Sequence, residues 1–198
     1  DGGLVHLALV AAAATLAGAS ALLAAIVVAK WILLGRVRPG QHPLWSCWCS
    51  RWDFHYVLWG MWGRSLLDAC DGTPITAWFL RAIGVRIGRG VVLGPGFSQV
   101  VDPDMLSIED GATATCHIQA HSFEDRVLKI DRVRIGRGAT VSTNAVLFYG
   151  VDVGDGAFVE PHAVVMKNDR LAAGSVVAGA PAAEQASTMR STFDPAAI

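Results

Sequence analysis

Residues 133–181 read VRIGRGATVSTNAVLFYGVDVGDGAFVEPHAVVMKNDRLAAGSVVAGAP, and their spacing decides the fold. Every sixth position is aliphatic: Ile135, Val141, Leu147, Val153, Val159, Val165, Leu171 and Val177. A helix repeats at 3.6 residues and a strand at 2, so a period of six demands another geometry. A coil of three short flat faces, each about six residues long, sends one branched residue per face into a shared core. That is a parallel β-helix. Gly136, Gly138, Gly150, Gly154 and Gly156 fall between the aliphatic positions, where the chain turns from face to face. A sandwich of short strands has no reason to hold a six-residue phase.

Working outward from that stretch, the string Val-Arg-Ile-Gly-Arg-Gly at 133–138 also occurs at 85–90, an internal repeat. The coil therefore starts at Val85, with Ile87 and Leu93 in phase. It stumbles at Gln99 and resumes as Ile108, Ala114 and Ala120. The offset implies a small loop near Asp102–Asp104. A second irregular offset, from Ala120 to Ile135, implies an excursion over His121–Arg132. Ahead of the coil, Thr73-Pro74 offers an N-cap and a first-turn proline and Gly84 a stop, which predicts a short helix over Ile75–Ile83. Trp78, Phe79 and Ala82 are expected to cover the open end of the coil, where strand edges would otherwise stay unpaired.

Leu4–Ala29 is a run of 26 residues with no charge. As a helix it extends about 39 Å, against a hydrocarbon core of about 30 Å. Lys30, Trp31, Arg36 and Arg38 follow it, so basic residues and an interfacial indole mark the cytoplasmic side, which places the coil there. The run is too long for a signal peptide. Next, Trp45, Trp48, Trp52, His55, Trp59, Trp62 and Leu66 are spaced alternately by three and four, so they share one helix face. Five tryptophans on one stripe after a membrane span predict a helix lying in the headgroup region. Packing of the same stripe against the coil or a neighbouring chain is the alternative. The boundaries are thus 1–34 for the transmembrane helix and its flank, 35–84 for the interfacial and capping helices, 85–182 for the β-helix and 183–198 for a tail. The first segment is expected to be removable without unfolding the coil.

Composition agrees with contact to lipid. The chain of 198 residues is 53% apolar and only 17% charged, with mean hydropathy +0.41; a soluble domain carries about a quarter charged residues. A net charge of −1 gives no reason to expect a nucleic-acid partner. Cys47, Cys49, Cys70 and Cys116 have neither Cys-x-x-Cys spacing nor disulfide-scaffold density, and read as reduced thiols facing the cytosol. The first residue is Asp1, which suggests a piece of a longer polypeptide.

The second excursion holds His121-Ser122-Phe123-Glu124-Asp125-Arg126, the densest polar cluster in the chain. Function concentrates in loops carried by rigid scaffolds. His121 is suited to moving a proton near neutral pH, and Glu124 or Asp125, three and four residues on, could orient its ring. Such a pair can strip a proton from an amine or hydroxyl that attacks a thioester. No Gly-x-Ser-x-Gly elbow surrounds Ser122, so direct acyl transfer is expected rather than a covalent intermediate. The plainer alternative makes His121 a loop cap and Glu124–Arg126 a surface ion pair. His117 and His121 are four apart, but a metal needs three or four ligands and His162 lies more than two coils away, so no metal is expected. His42 and His55 read as interfacial.

These residues resemble a known family. The hexapeptide rungs and the ending Gly174-Ser-Val-Val-Ala-Gly-Ala-Pro181 look like hexapeptide-repeat acyltransferases, whose fold is an all-β left-handed β-helix. Lys30–Trp45, Gly72-Thr-Pro and His121-Ser-Phe-Glu-Asp-Arg-Val-Leu-Lys129 add a closer likeness. They are similar to the membrane-embedded C-terminal domain of single-module non-ribosomal peptide synthetases, the family that includes ε-poly-L-lysine synthetase. The likeness covers roughly residues 20–182. It implies an acyltransferase that joins amino-acid monomers, with a phosphopantetheine thioester on a carrier domain, or acetyl-CoA, as donor. It further implies carrier and adenylation domains as partners, and a homotrimer or pseudo-trimer whose donor arm lies between neighbouring coils. The catalytic role passes to His121, oriented by Glu124 or Asp125, with Phe123, Arg126 and Asn144 as candidates for substrate binding. Acetylation of a sugar or lipid, or an inactive β-helix scaffold, are the competing expectations.

Overall fold

The computed structural model describes residues 2–185. From Arg86 to Ala178 short strands stack into three parallel faces. Ile87, Ile108, Ile135, Val153 and Leu171 lie in register on one face. Leu93, Ala114, Val141, Val159 and Val177 do so on the second, and Ile118, Leu147 and Val165 on the third. The six-residue phase therefore deals one branched side chain to each face in turn, into a single apolar column. Ile135 through Val165 are fully buried at these positions, each contributing about 1.5–3 kcal/mol relative to exposure. The repeated Val-Arg-Ile-Gly has a steric cause. A Cβ on Gly136 would sit 2.7 Å from the carbonyl oxygen of Val153 and 2.8 Å from the amide of Asp155, because the next rung's backbone passes there.

The phase slips at one expected position. Ile118, not Ala120, occupies the third face, paired with Leu147 only four residues after Ala114. A corner shortened by two residues looks the same to a six-residue count, since both Ile118 and Ala120 are apolar. Ala120 instead closes the base of the second excursion, its carbonyl accepting the Asp131 amide. The excursion is a hairpin in which His121–Glu124 pairs antiparallel with Val127–Ile130. Asp125 and Arg126 link them with φ of 53° and 62°, the left-handed pair that a two-residue turn requires to match strand twist. Gly40–Pro43 adds a third antiparallel strand. The first excursion, residues 94–105, replaces the third-face strand of the first coil and ends in a 3-10 turn at Pro103–Met105.

Four helices precede or cap the coil. The first, α1 (Gly2–Leu33), is long and apolar enough to cross a bilayer. Residues 2–18 are exposed throughout, about 26 Å of helix; its last turns pack on the protein, burying Ile26 and Lys30. The Lys30 ammonium pairs with Asp104 Oδ2 at 2.7 Å, and the same oxygen accepts the Val37 amide at 3.0 Å. The second helix, α2 (Cys47–Leu58), is N-capped by Ser46 and runs through a π-helical turn at Trp59–Gly63 into α3 (Arg64–Asp68).

The tryptophan stripe on this rod turns largely inward. Trp59 is buried and donates its indole N–H to the Ser98 carbonyl at 2.9 Å; Trp52 donates to Asp102 Oδ1 at 2.7 Å. Gln99 bonds back to the Tyr56 carbonyl. The stripe thus clamps the first excursion, because a shielded indole N–H needs an acceptor and this loop offers them. Trp45 and Trp62 remain exposed, as do Phe54, Val57 and Met61 on the outer side of the rod.

The capping helix, α4 (Pro74–Ile83), has the expected Thr73 cap and stops at Gly84, where φ is 123°. Its buried face is Thr76, Phe79, Leu80 and Ile83; Trp78 and Ala82 point away. At the other end Ala183–Glu184 turns back antiparallel onto Val176–Ala178. Most of the expected tail, residues 186–198, lies outside the described residues.

Candidate active site

The two excursions meet. His121 Nδ1 lies 2.8 Å from Asp102 Oδ2, with the carboxylate fully shielded and the imidazole side chain 8% exposed. The other carboxylate oxygen accepts from Trp52. Trp52 and Phe123 stand edge-on to the imidazole, with centroids at 5.3 Å and 5.0 Å. An ionised carboxylate only accepts, so Nδ1 donates to it, and in the neutral ring Nε2 then keeps the lone pair that can take another proton. Asp102 holds φ at 57°, a left-handed conformation uncommon outside glycine and fixed here by bonds from His121 and Trp52.

Glu124 and Asp125 do not orient His121, contrary to the sequence expectation. In a strand successive side chains alternate faces, so His121 and Phe123 share one face while Ser122 and Glu124 share the other. Spacing of three, which would bring groups together on a helix, separates them here. Glu124 instead accepts from Ser122 at 2.9 Å, from Lys129 at 2.7 Å and from Lys167 on the coil. Those bonds, Lys129 foremost, hold its carboxyl down at about 2. Asp125 sits at the exposed tip of the hairpin.

Of the remaining expected site residues, the structure brings Phe123 alone beside His121. Its ring is half exposed, an apolar wall open to a ligand. Arg126 is at the hairpin tip, its carbonyl accepting the Leu44 amide. Asn144 turns a coil corner with φ of 60° and an exposed side chain.

Asp102 and Trp52 escaped the sequence reading. One signal did exist: Asp102-Pro103-Asp104 falls where the coil first loses its phase, and a loop that leaves the coil can reach the next one.

The other titratable groups are placed otherwise. His117 is exposed, His42 stacks on Trp48 with centroids 3.7 Å apart, and His55 is buried beside Trp59. Burial lowers the affinity of His42 and His55 for a proton. The Cys116 thiol, also buried, is pushed up to about 12. Among the described residues no group of three or more His, Cys, Asp or Glu side chains is placed to share a metal ion.

No family model matches the chain. Over 161 residues it is 34% identical to Delta-poly-L-ornithine synthetase of Acinetobacter baumannii (strain AB307-0294). The aligned region is 79% of this chain and 12% of that protein, so the chain spans a small part of its relative's length. Among solved structures, a hexapeptide-repeat-containing acetyltransferase from Vibrio cholerae superposes with a TM-score of 0.52 at 14% identity. That match covers 68% of this chain and 91% of the other. The likeness is one of fold, the left-handed β-helix.

Proposed function

We propose that this chain is a membrane-anchored acyl or aminoacyl transferase in which His121 acts as general base. The shielded array of His121, Asp102 and Trp52 carries the reading. As an acceptor amine attacks the thioester carbonyl, a C–N bond forms and the C–S bond breaks. His121 Nε2 takes the proton from the amine nitrogen and returns it to the departing thiolate. Asp102 keeps the ring in the tautomer that leaves Nε2 basic and balances its charge once protonated. Base catalysis of this kind contributes about 10²–10⁴-fold.

Two observations favour direct transfer over a covalent enzyme intermediate. Ser122 donates to Glu124 on the face away from His121, and Cys116 is a buried thiol held neutral. The thioester belongs to the substrate, a phosphopantetheine arm on a carrier domain or CoA, and the exposed Phe123 ring offers it an apolar wall. The likeness to Delta-poly-L-ornithine synthetase favours an amino-acid side-chain amine as acceptor and peptide-synthetase carrier and adenylation domains as partners. A donor arm held between coils calls for a homotrimer or pseudo-trimer on the cytoplasmic face of the bilayer.

The test is product formation by detergent-solubilised protein given an aminoacyl-loaded carrier domain, wild type against His121→Ala, with acetyl-CoA as a parallel donor. Product lost in the variant supports the reading. Equal product from both places the base elsewhere. Turnover with acetyl-CoA alone reassigns the donor, and absence of product from either donor favours the scaffold.

A further inference from the structure

A cavity of about 420 Å³ opens beside the segment that follows α1, and four of its wall residues are arginines. Arg36 and Arg38 come from the segment after α1, Arg86 from the first rung and Arg132 from the foot of the hairpin. All four are exposed, and among the described residues none forms an ion pair. The carboxylate in the lining is Asp104, which Lys30 already neutralises at 2.7 Å. The nearby Asp131 side chain is turned onto the Arg132 amide. Four arginines therefore line one cavity whose lining carboxylate, Asp104, is already paired with Lys30. That costs self-repulsion unless an anion joins them, and the volume is that of a small-ligand site.

The position narrows the anion. Val28, Trp31 and Ile32 keep an exposed apolar side on α1 up to its last turn, and Arg36 and Arg38 follow within a few residues. A bilayer reaching Ile32 would present its headgroups at the mouth of this cavity. Guanidinium forks match phosphate oxygens two at a time, which an ammonium cannot do. We propose that Arg36, Arg38, Arg86 and Arg132 form a binding site for the phosphate of an anionic phospholipid headgroup. The coil's own arginines, and not the basic flank alone, then fix how the domain sits on the membrane.

Arg86 and Arg132 make the test specific, since they belong to the coil rather than to the flank that sets topology. The full chain in non-ionic detergent is titrated with phosphatidylglycerol, with phosphatidylcholine, and with inorganic phosphate, and bound lipid is counted by native mass spectrometry. Saturable binding of phosphatidylglycerol, with phosphatidylcholine failing to replace it, is expected. It should weaken by about tenfold in the charge-conserving Arg86→Lys/Arg132→Lys variant, which loses the paired bonds. Binding unchanged in that variant, equal binding of the two lipids, or no saturable binding overturns the proposal. Displacement by inorganic phosphate at low millimolar concentration reassigns the site to a soluble phosphate and overturns the lipid. If the double variant does not fold, protection of arginines from phenylglyoxal decides, and no protection by phosphatidylglycerol overturns the site.

Discussion

Lys30, in the last turns of α1, and Asp104, in the first excursion of the coil, form an ion pair at 2.7 Å with both side chains almost wholly shielded. Asp104 is two residues from the carboxylate that holds His121, so one turn of chain joins the apolar helix to the candidate site. Removing one partner of a buried pair strands the other, at about 3–5 kcal/mol. Lys30→Ala is expected to lower the unfolding midpoint in detergent markedly, and Lys30→Met with Asp104→Leu to recover much of it. Excising residues 1–34, which periodicity treats as separable, strands the same carboxylate and should destabilise the coil as well as release it from membranes.

The dyad makes a graded prediction. His121→Ala should lower the transfer rate by about 10²–10⁴-fold. Asp102→Asn keeps the shape but frees the ring to rotate, and a loss on the order of 10²-fold is expected. Steady-state rates with the loaded carrier measure both. An unaltered rate in Asp102→Asn would remove the carboxylate from the mechanism.

Glu124 ties the two strands of the hairpin together through Lys129 and fastens the hairpin to the coil through Lys167. Its carboxyl is depressed from an ordinary value of about 4.3 to about 2. Its stabilisation is therefore complete above the unfolded value and lost as pH falls toward the folded one. The protection of the Val127–Ile130 amides against hydrogen exchange, relative to the free-peptide rate at each pH, should fall between about pH 4.3 and about 2. Glu124→Gln should exchange fast at neutral pH and lose that acid-side step.

Gly136 tests the coil itself. Alanine there meets backbone atoms of the next rung at under 3 Å, and overpacking of this kind costs about 1–3 kcal/mol. Thermal unfolding of Gly136→Ala should show it. Gly138, which has open space around its Cβ position but φ of 62°, should suffer backbone strain alone.

Periodicity is a local, repeated signal, so the column from Ile135 to Val177 and both excursions were legible before any coordinates. It fails where two choices share one chemistry. Ile118 and Ala120 are both apolar, and only the sheet register separates them. The tryptophan spacing shows that a face is buried without saying by what. His121 was legible as the proton carrier by type and setting. Its partner was not, because Asp102 lies 19 residues earlier on another coil, and spacing along the chain says nothing of contacts between coils.

Among the described residues, the chain folds back over part of each end of the coil. Helix α4 lays Phe79, Leu80 and Ile83 over the first rung. At the last rung Ala183–Glu184 takes the edge of Val176–Ala178, while Gly179 and Ala182 bond Val164. A coil with bare ends could elongate by stacking copies into filaments, rung upon rung. Among the described residues the capping helix and the Ala183–Glu184 strand cover part of those edges, which disfavours stacking of copies end to end.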